Sequence, residues 1–273
     1  MRHARFCGAL FAAAFVLPAL AQEPKPETKP GTLAVGYTIA FWAIPFGHTD
    51  YHAKFDGDSY DAKSHFETSG VVSLFWNSII DANANGAIAA HTITPALYDS
   101  WAEDHSSKKR RVKVTFGGPV PETFADPVFS NNKYPVTDEQ KRGAVDPMSA
   151  LTTIMAGIRA DAKNPCGTGV EVFDGHRRYD VTFSYVKDEK VTVPGVFDGN
   201  AHQCLIHYNQ IAGYKQKIVK EGKALPPMYA DFADVPGAGS PDGRYVVAVK
   251  LWTSLTWGTV TATISELKVN TKG

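Results

Sequence analysis

Residues 169–186 read GVEVFDGHRRYDVTFSYV. Two runs rich in β-branched and aromatic residues flank Asp174-Gly175, and glycine accepts the positive φ that a tight hairpin turn demands. On the returning run, Tyr179, Val181, Phe183 and Tyr185 recur at every second position. That is the period of a strand with one buried face. The segment is therefore a β-hairpin, and the question is how much of the chain repeats it.

Most of it does. Leu33, Val35, Tyr37 and Ile39 alternate, and Phe41, Trp42 and Ile44 continue that run. Residues 49–55 and 59–68 flank Asp56-Gly57-Asp58 as a second hairpin. Residues 87–101 and 110–116 follow as strands, 191–196 as a short one, and Cys204, Ile206, Tyr208 and Gln210 lie at period two. Residues 244–254 and 257–269 form a closing hairpin. Residues 70–80 are apolar all round and fit a short buried helix or a bent strand, because periodicity does not separate the two. Asn83 to Gly86 has the composition of a turn, and 225–243, rich in proline and small residues, that of a long loop. About ten to twelve strands result.

One helix interrupts them. Asp146 is a good N-cap and Pro147 suits the first helical position, where its missing N–H costs nothing. Ala150, Leu151, Ile154, Met155 and Ile158 then recur at helical spacing, to about residue 160. The expected fold is mainly β: a strongly curved antiparallel sheet or open β-barrel with this helix covering or plugging one face.

Three segments carry a resemblance. They are Asp146-Pro147-Met148-Ser149-Ala150-Leu151, Asp174-Gly175-His176-Arg177-Arg178-Tyr179-Asp180, and the run from Cys204 that ends in Ile211-Ala212-Gly213-Tyr214. In order and spacing they resemble the uncharacterised exported proteins grouped as domain of unknown function 3108, over about residues 32–269. The resemblance implies a Gram-negative periplasmic protein built mainly from antiparallel sheet. It implies no established reaction and no catalytic residues.

The N-terminus has the order of a secretory signal. Arg2, His3 and Arg5 precede an apolar stretch over 6–17, Pro18 breaks it, and Ala19-Leu20-Ala21 is a small-x-small cleavage site. The apolar stretch is well short of the ~20 residues of a spanning helix. The expected organisation is a signal peptide at 1–21, a disordered leader at 22–31 and a single β-rich domain over 32–273. The product is periplasmic, with no transmembrane segment after cleavage. Arg2 and Arg5 leave with the signal, so a formal charge of +0 becomes about −2. That balance excludes nucleic acid as a partner, since such binding rests on many Lys and Arg contacts to phosphate. The local cluster Lys108, Lys109, Arg110, Arg111 and Lys113 is read as a solvated strand edge protected by charge.

Cleavage also leaves two cysteines of three, Cys166 and Cys204. In an oxidising compartment two thiols read as one disulfide, and the chain has no C-x-x-C spacing for a metal. No G-x-S-x-G elbow, phosphate loop of the G-x-x-x-x-G-K type or H-E-x-x-H is present. His48 and His52 would share a face of a strand, with His65 approaching across a hairpin, a set suited to zinc or copper; scattered imidazoles with separate partners are the plainer reading. Asp56, Asp58 and Asp61 are read as a hairpin tip rather than a calcium loop. No metal, cofactor or catalytic residue is assigned.

Large rings are the remaining signal. A β core accounts for many of them, but a curved sheet can also enclose an apolar cavity. Phe41, Trp42, Trp252 and Trp257 are its expected lining, with only one of Phe41 and Trp42 pointing inward. The functional expectation is a non-catalytic envelope protein that supports envelope integrity by binding a lipid-like or other amphipathic ligand or an envelope partner protein. A periplasmic enzyme with an unrecognised site and a ligand-free scaffold are the alternatives.

Overall fold

The structure is a computed structural model that describes residues 30–73, 77–89, 92–129, 134–158, 165–167, 169–215 and 225–271. The expected signal peptide and nearly all of the leader lie outside the described residues, as do Phe75, Trp76 and His91; the helix expected to reach about residue 160 ends earlier, at Met155, with Ala156 as its C-cap and Gly157 at a φ of 68°.

Thirteen strands form one antiparallel sheet among the described residues. In chain order they are β1 (Gly31–Phe41), β2 (Ile44–Asp56), β3 (Ser59–Thr68), β4 (Ile79–Ala89), β5 (Thr92–Glu103), β6 (Lys109–Thr115), β7 (Glu122–Asp126), β8 (Val170–Phe173), β9 (Arg178–Val193), β10 (Phe197–Ala212), β11 (Met228–Pro236), β12 (Arg244–Leu255) and β13 (Gly258–Thr271). A short helix, α1 (Gly70–Ser73), precedes β4. The strands from β1 to β7 run in sequence to one edge, β13 pairs with β1, and the return from β13 ends at β8 on the other edge. The β7–β8 connection carries α2 (Asp138–Lys141) and α3 (Pro147–Met155).

The sheet is rolled. Register shifts at Gly36/Tyr37, Asn85/Gly86, Gln203/Cys204 and Asp231/Phe232 each disturb the ladder, and bulges bend and twist a strand. The two edges approach without pairing. Gly175, with φ of 90°, lies in the β8–β9 turn, where a Cβ would come within 2.6 Å of Val112 and 3.2 Å of Thr123 on the far side. Phe129 stacks on His176 with ring centroids 4.2 Å apart. Along the free edge of β8, Val145 N–H donates to Glu171 O and accepts from Phe173 N–H through its own carbonyl, which covers a row of backbone groups that would otherwise be open. The result is an open barrel.

The hairpin motif that decides the fold class closes this seam. Asp174 Oδ1 accepts from the His176 and Arg177 backbone N–H groups at 2.9 and 2.6 Å. Buried Arg178 donates to Glu171 at 2.6 Å, to the Gln140 carbonyl of α2 at 3.0 Å, and to Asp180.

Three more expectations change. Residues 32–44 are not one run: β1 ends at Phe41 and the chain turns through Trp42 and Ala43, with φ of 49° and 64°. A turn built without Gly, Asn or Asp carries no composition signal. Asn83 to Gly86 is not a turn but the interior of β4. Gly86 is there because the β5 backbone passes so close that a Cβ would lie 2.3 Å from Thr94 O. The expected loop at 225–243 contains β11, whose prolines fall before it and at its last residue, where no ladder donor is lost.

Helix α3 lies against the rolled sheet. It contacts β3, β4, β5, β8 and β12. The buried residues of β2–β4 that share its cluster include Ala53, Ala62, Ala82 and Ala84, and such small side chains let a helix approach. Asp146 caps it and Pro147 opens it, as the sequence implies.

Candidate functional site

The N-cap and one side of α3 are held by a closed set of hydrogen bonds. Asp146 is fully buried; its carboxylate accepts from the Ser149 backbone N–H at 2.8 Å and from the Ser149 hydroxyl. With the Ser149 proton used there, the Tyr60 hydroxyl donates to Ser149 Oγ at 2.5 Å. One turn on, Thr152 Oγ1 donates to the Met148 carbonyl at 2.8 Å, so the Tyr51 hydroxyl, 2.7 Å away, donates to Thr152. Burial pushes the Asp146 carboxyl up to about 6, against the pull of its Ser149 hydrogen bonds. The same burial lifts the Tyr51 and Tyr60 phenols above their ordinary range. A buried carboxyl beside a serine invites a catalytic reading, but these groups are consumed in capping the helix.

The opposite side of α3, carrying Leu151, Ile154 and Met155, borders a cavity. This cavity of about 380 Å³ lies between the helix and the sheet, with Phe183 of β9, Ile206 of β10 and Phe232 of β11 in its wall. Its walls are overwhelmingly apolar. Tyr37 of β1 also lines it, buried to 6% exposure, and its hydroxyl has no hydrogen-bond partner among the described residues. Burial holds that phenol well above its ordinary pKa, so it stays a neutral donor.

The disulfide joins Cys166 to Cys204. Both are buried in a cluster with Ala230, Phe232, Val246 and Ala248, against which Ile154, Phe183 and Ile206 pack. Five of those neighbours, Ile154, Phe183, Ile206, Phe232 and Ala248, also line the cavity. The bridge therefore ties the segment after α3 to the cavity wall.

The rings expected to line a cavity are elsewhere. Phe41 stacks on Trp42 at 5.6 Å and meets Trp257 at 5.3 Å, across the tips of the β1–β2 and β12–β13 hairpins. Trp42 and Trp257 are 66% and 68% exposed. Trp252 stacks on Tyr229 at 5.5 Å, under Lys250. None of the four lines the cavity of α3. Its actual wall comes from positions read only as strand alternation. The signal that could have found it is Tyr37, a polar handle between Val35 and Ile39 on an otherwise apolar strand face.

The basic cluster does not lie at the expected sheet edge: β6 pairs with β5 on one side and β7 on the other, and β7 is the edge. Arg111 holds Asp99 through two bonds of 2.9 and 2.6 Å, Lys109 reaches Glu103 at 3.6 Å, and Arg110 lies over the Phe129 ring. No helix among the described residues is long and apolar enough to cross a membrane.

No curated protein matches the chain by sequence. Among solved structures it is similar to the crystal structure of a beta-barrel-like protein of domain of unknown function DUF1849 from Brucella abortus, at 10% identity over 89% of this chain and 99% of that one, with a TM-score of 0.46. A family model described as protein of unknown function, DUF3108, matches residues 36–265. That span takes in the capped helix, the seam hairpin, both cysteines and the cavity wall, and the chain belongs to the DUF3108 family.

Proposed function

We propose that this protein is a non-catalytic binder of a single-chain acyl lipid that works in the cell envelope after export. The acyl chain lies in the cavity beside α3, and an acceptor oxygen of the headgroup takes the Tyr37 hydroxyl. One observation carries the reading: an apolar cavity of about 380 Å³ lined in part by Tyr37, a buried tyrosine whose hydroxyl has no partner among the described residues. The volume falls in the range of small-molecule sites, roughly 300–1,000 Å³. An unfilled apolar cavity forfeits packing, and an unpaired buried hydroxyl is unfavourable by about 1–3 kcal/mol. A ligand with an apolar tail and one acceptor removes both penalties.

The signal-like N-terminus and the Cys166–Cys204 bridge support export to an oxidising compartment. Against an enzyme stands the position of the two buried carboxyls raised to about 6: Asp146 caps a helix, and neither it nor Asp231 lines the cavity. The test is titration of the mature protein with a fluorescent fatty acid, competed by unlabelled fatty acid. Saturable micromolar binding is expected, and Ala262→Leu, which puts a larger side chain into the wall, should abolish it while leaving the melting transition in place. Absence of saturable binding, or binding unchanged by the filled cavity, overturns the reading.

A further inference from the structure

On the other face of the same strands a second group of side chains converges. In the β2–β3 register His48 stands directly opposite Glu67, and His65 lies two residues before Glu67 on the same face. This is the face opposite Tyr51, Ala53, Tyr60 and Ala62, which alternate inward toward the core. His48 Nε2 is 3.2 Å from Glu67 Oε1, and His65 Nε2 is 3.6 Å from Glu67 Oε2. One ligand atom from each of the three residues lies within 4.8 Å of the others. Tetrahedral zinc with bonds of about 2.0–2.2 Å needs ligand atoms roughly 3.3 Å apart, a spacing reached here by small side-chain rotations.

Two features separate this group from ordinary surface ion pairs. The first is its composition: two imidazoles and one carboxylate form a donor set that suits a borderline divalent metal and leaves room for water at the remaining positions. Each side chain is about 40% exposed, so the site is open to solvent. The second is its support. Asp81, on β4 and directly opposite His65, accepts from His65 Nδ1 at 2.8 Å. A carboxylate on the far nitrogen fixes the tautomer and turns the Nε2 lone pair toward Glu67 and His48, the usual outer-shell arrangement of a metal-bound histidine. The third imidazole suggested by spacing, His52, is four residues further along β2, about 13 Å away at the rise of a strand, and faces Lys63 in register. Glu67 takes its place.

We propose that His48, His65 and Glu67 bind one zinc ion on the outer face of β2–β3, with Asp81 positioning His65. The test uses the mature full-length protein, stripped with a chelator and titrated with Zn²⁺ against a chromophoric zinc indicator, with melting curves recorded for each variant. One equivalent should bind saturably. His48→Ala, His65→Ala and Glu67→Ala should each weaken it at least tenfold. Asp81→Asn, which keeps the size but weakens the acceptor, should weaken it about tenfold, and His52→Ala should leave it unchanged. No saturable zinc binding, or one equivalent that survives both His48→Ala and His65→Ala in folded protein, overturns the proposal. Full affinity in Asp81→Asn overturns the positioning role. A loss in His52→Ala equal to that in His48→Ala overturns this ligand set.

Discussion

The two sides of α3 treat their polar neighbours in opposite ways. Around Asp146, Ser149 and Thr152, the hydroxyls of Tyr60 and Tyr51 are used in hydrogen bonds. Around Leu151, Ile154 and Met155, the packing opens into a cavity and the Tyr37 hydroxyl is left over. Both regions present tyrosines from neighbouring strands to one short helix. Saturated networks rigidify, while an unsaturated donor on an apolar wall is a binding feature. One side of the helix is anchored by hydrogen bonds while the other borders the cavity.

The largest effect on this contrast should come from the disulfide, which holds the cavity side. Cys166 and Cys204 are 38 residues apart, and removing a bridge that closes a loop of this size lowers stability by about 2–5 kcal/mol. Cys204→Ser should do so in chemical denaturation. It should also weaken fatty-acid binding more than an Asp146 substitution does, since Ile154, Phe183 and Phe232 pack around the bridge. Equal stability of oxidised wild type and Cys204→Ser would detach the bridge from the architecture.

The next effect belongs to the anchored side. Asp146→Ala removes the helix cap and should lower stability by about 1–2 kcal/mol. Asp146→Asn keeps a capping oxygen for the Ser149 N–H and removes the buried charge, and it also turns the oxygen that accepts from the Ser149 hydroxyl into a donor. Burial raises this carboxyl from 3.8 to about 6, so the native state favours its protonated form. The stability it contributes is fully present below the ordinary carboxylate value and is lost as pH rises through about 6. The gap in melting temperature between Asp146→Asn and wild type should therefore shift in favour of Asp146→Asn as pH rises from about 4 to about 7. A gap that does not vary with pH would mean that Asp146 does not titrate in this window.

The fold was legible where a residue's job is local. The Asp146-Pro147 cap and the Asp174-Gly175 turn follow from backbone chemistry within a few residues, and the structure realises them; the expected face of β9 holds for Tyr179, Val181 and Phe183, which pack inward, and fails at Tyr185, which is 47% exposed beside a register shift. The segments that carried the family resemblance hold local jobs and distant ones together. Gly213 abuts the seam, where a Cβ would lie 2.3 Å from His176 O, and Tyr214 bonds Tyr208 at 2.6 Å. What stayed hidden depends on distant partners. Gly86 looks like a turn residue until the closeness of β5 is known. The cavity is the space left between a helix and strands far apart in sequence, so ring count alone pointed to Trp42 and Trp257, which instead stand exposed at hairpin tips.

The smallest effect on the free protein is the sharpest test of the contrast. Tyr60→Phe deletes a used hydroxyl and leaves Ser149 Oγ without its donor, so it should cost about 1 kcal/mol. Tyr37→Phe deletes a hydroxyl that has no partner, keeps the ring that packs in the core, and relieves a buried unpaired group. Its effect on the free protein should be within about 0.5 kcal/mol of zero or slightly stabilising. In the lipid-bound protein the order reverses. Tyr37→Phe loses a hydrogen bond to the headgroup oxygen and should weaken fatty-acid binding by roughly five- to tenfold, about 1 kcal/mol, whereas Tyr60→Phe should leave affinity near that of wild type. Denaturation and lipid titration of the two variants side by side check this. If Tyr37→Phe destabilises the free protein as much as Tyr60→Phe, its hydroxyl is already bonded to water in solution, and the two sides of α3 do not differ in the way their hydrogen bonds suggest.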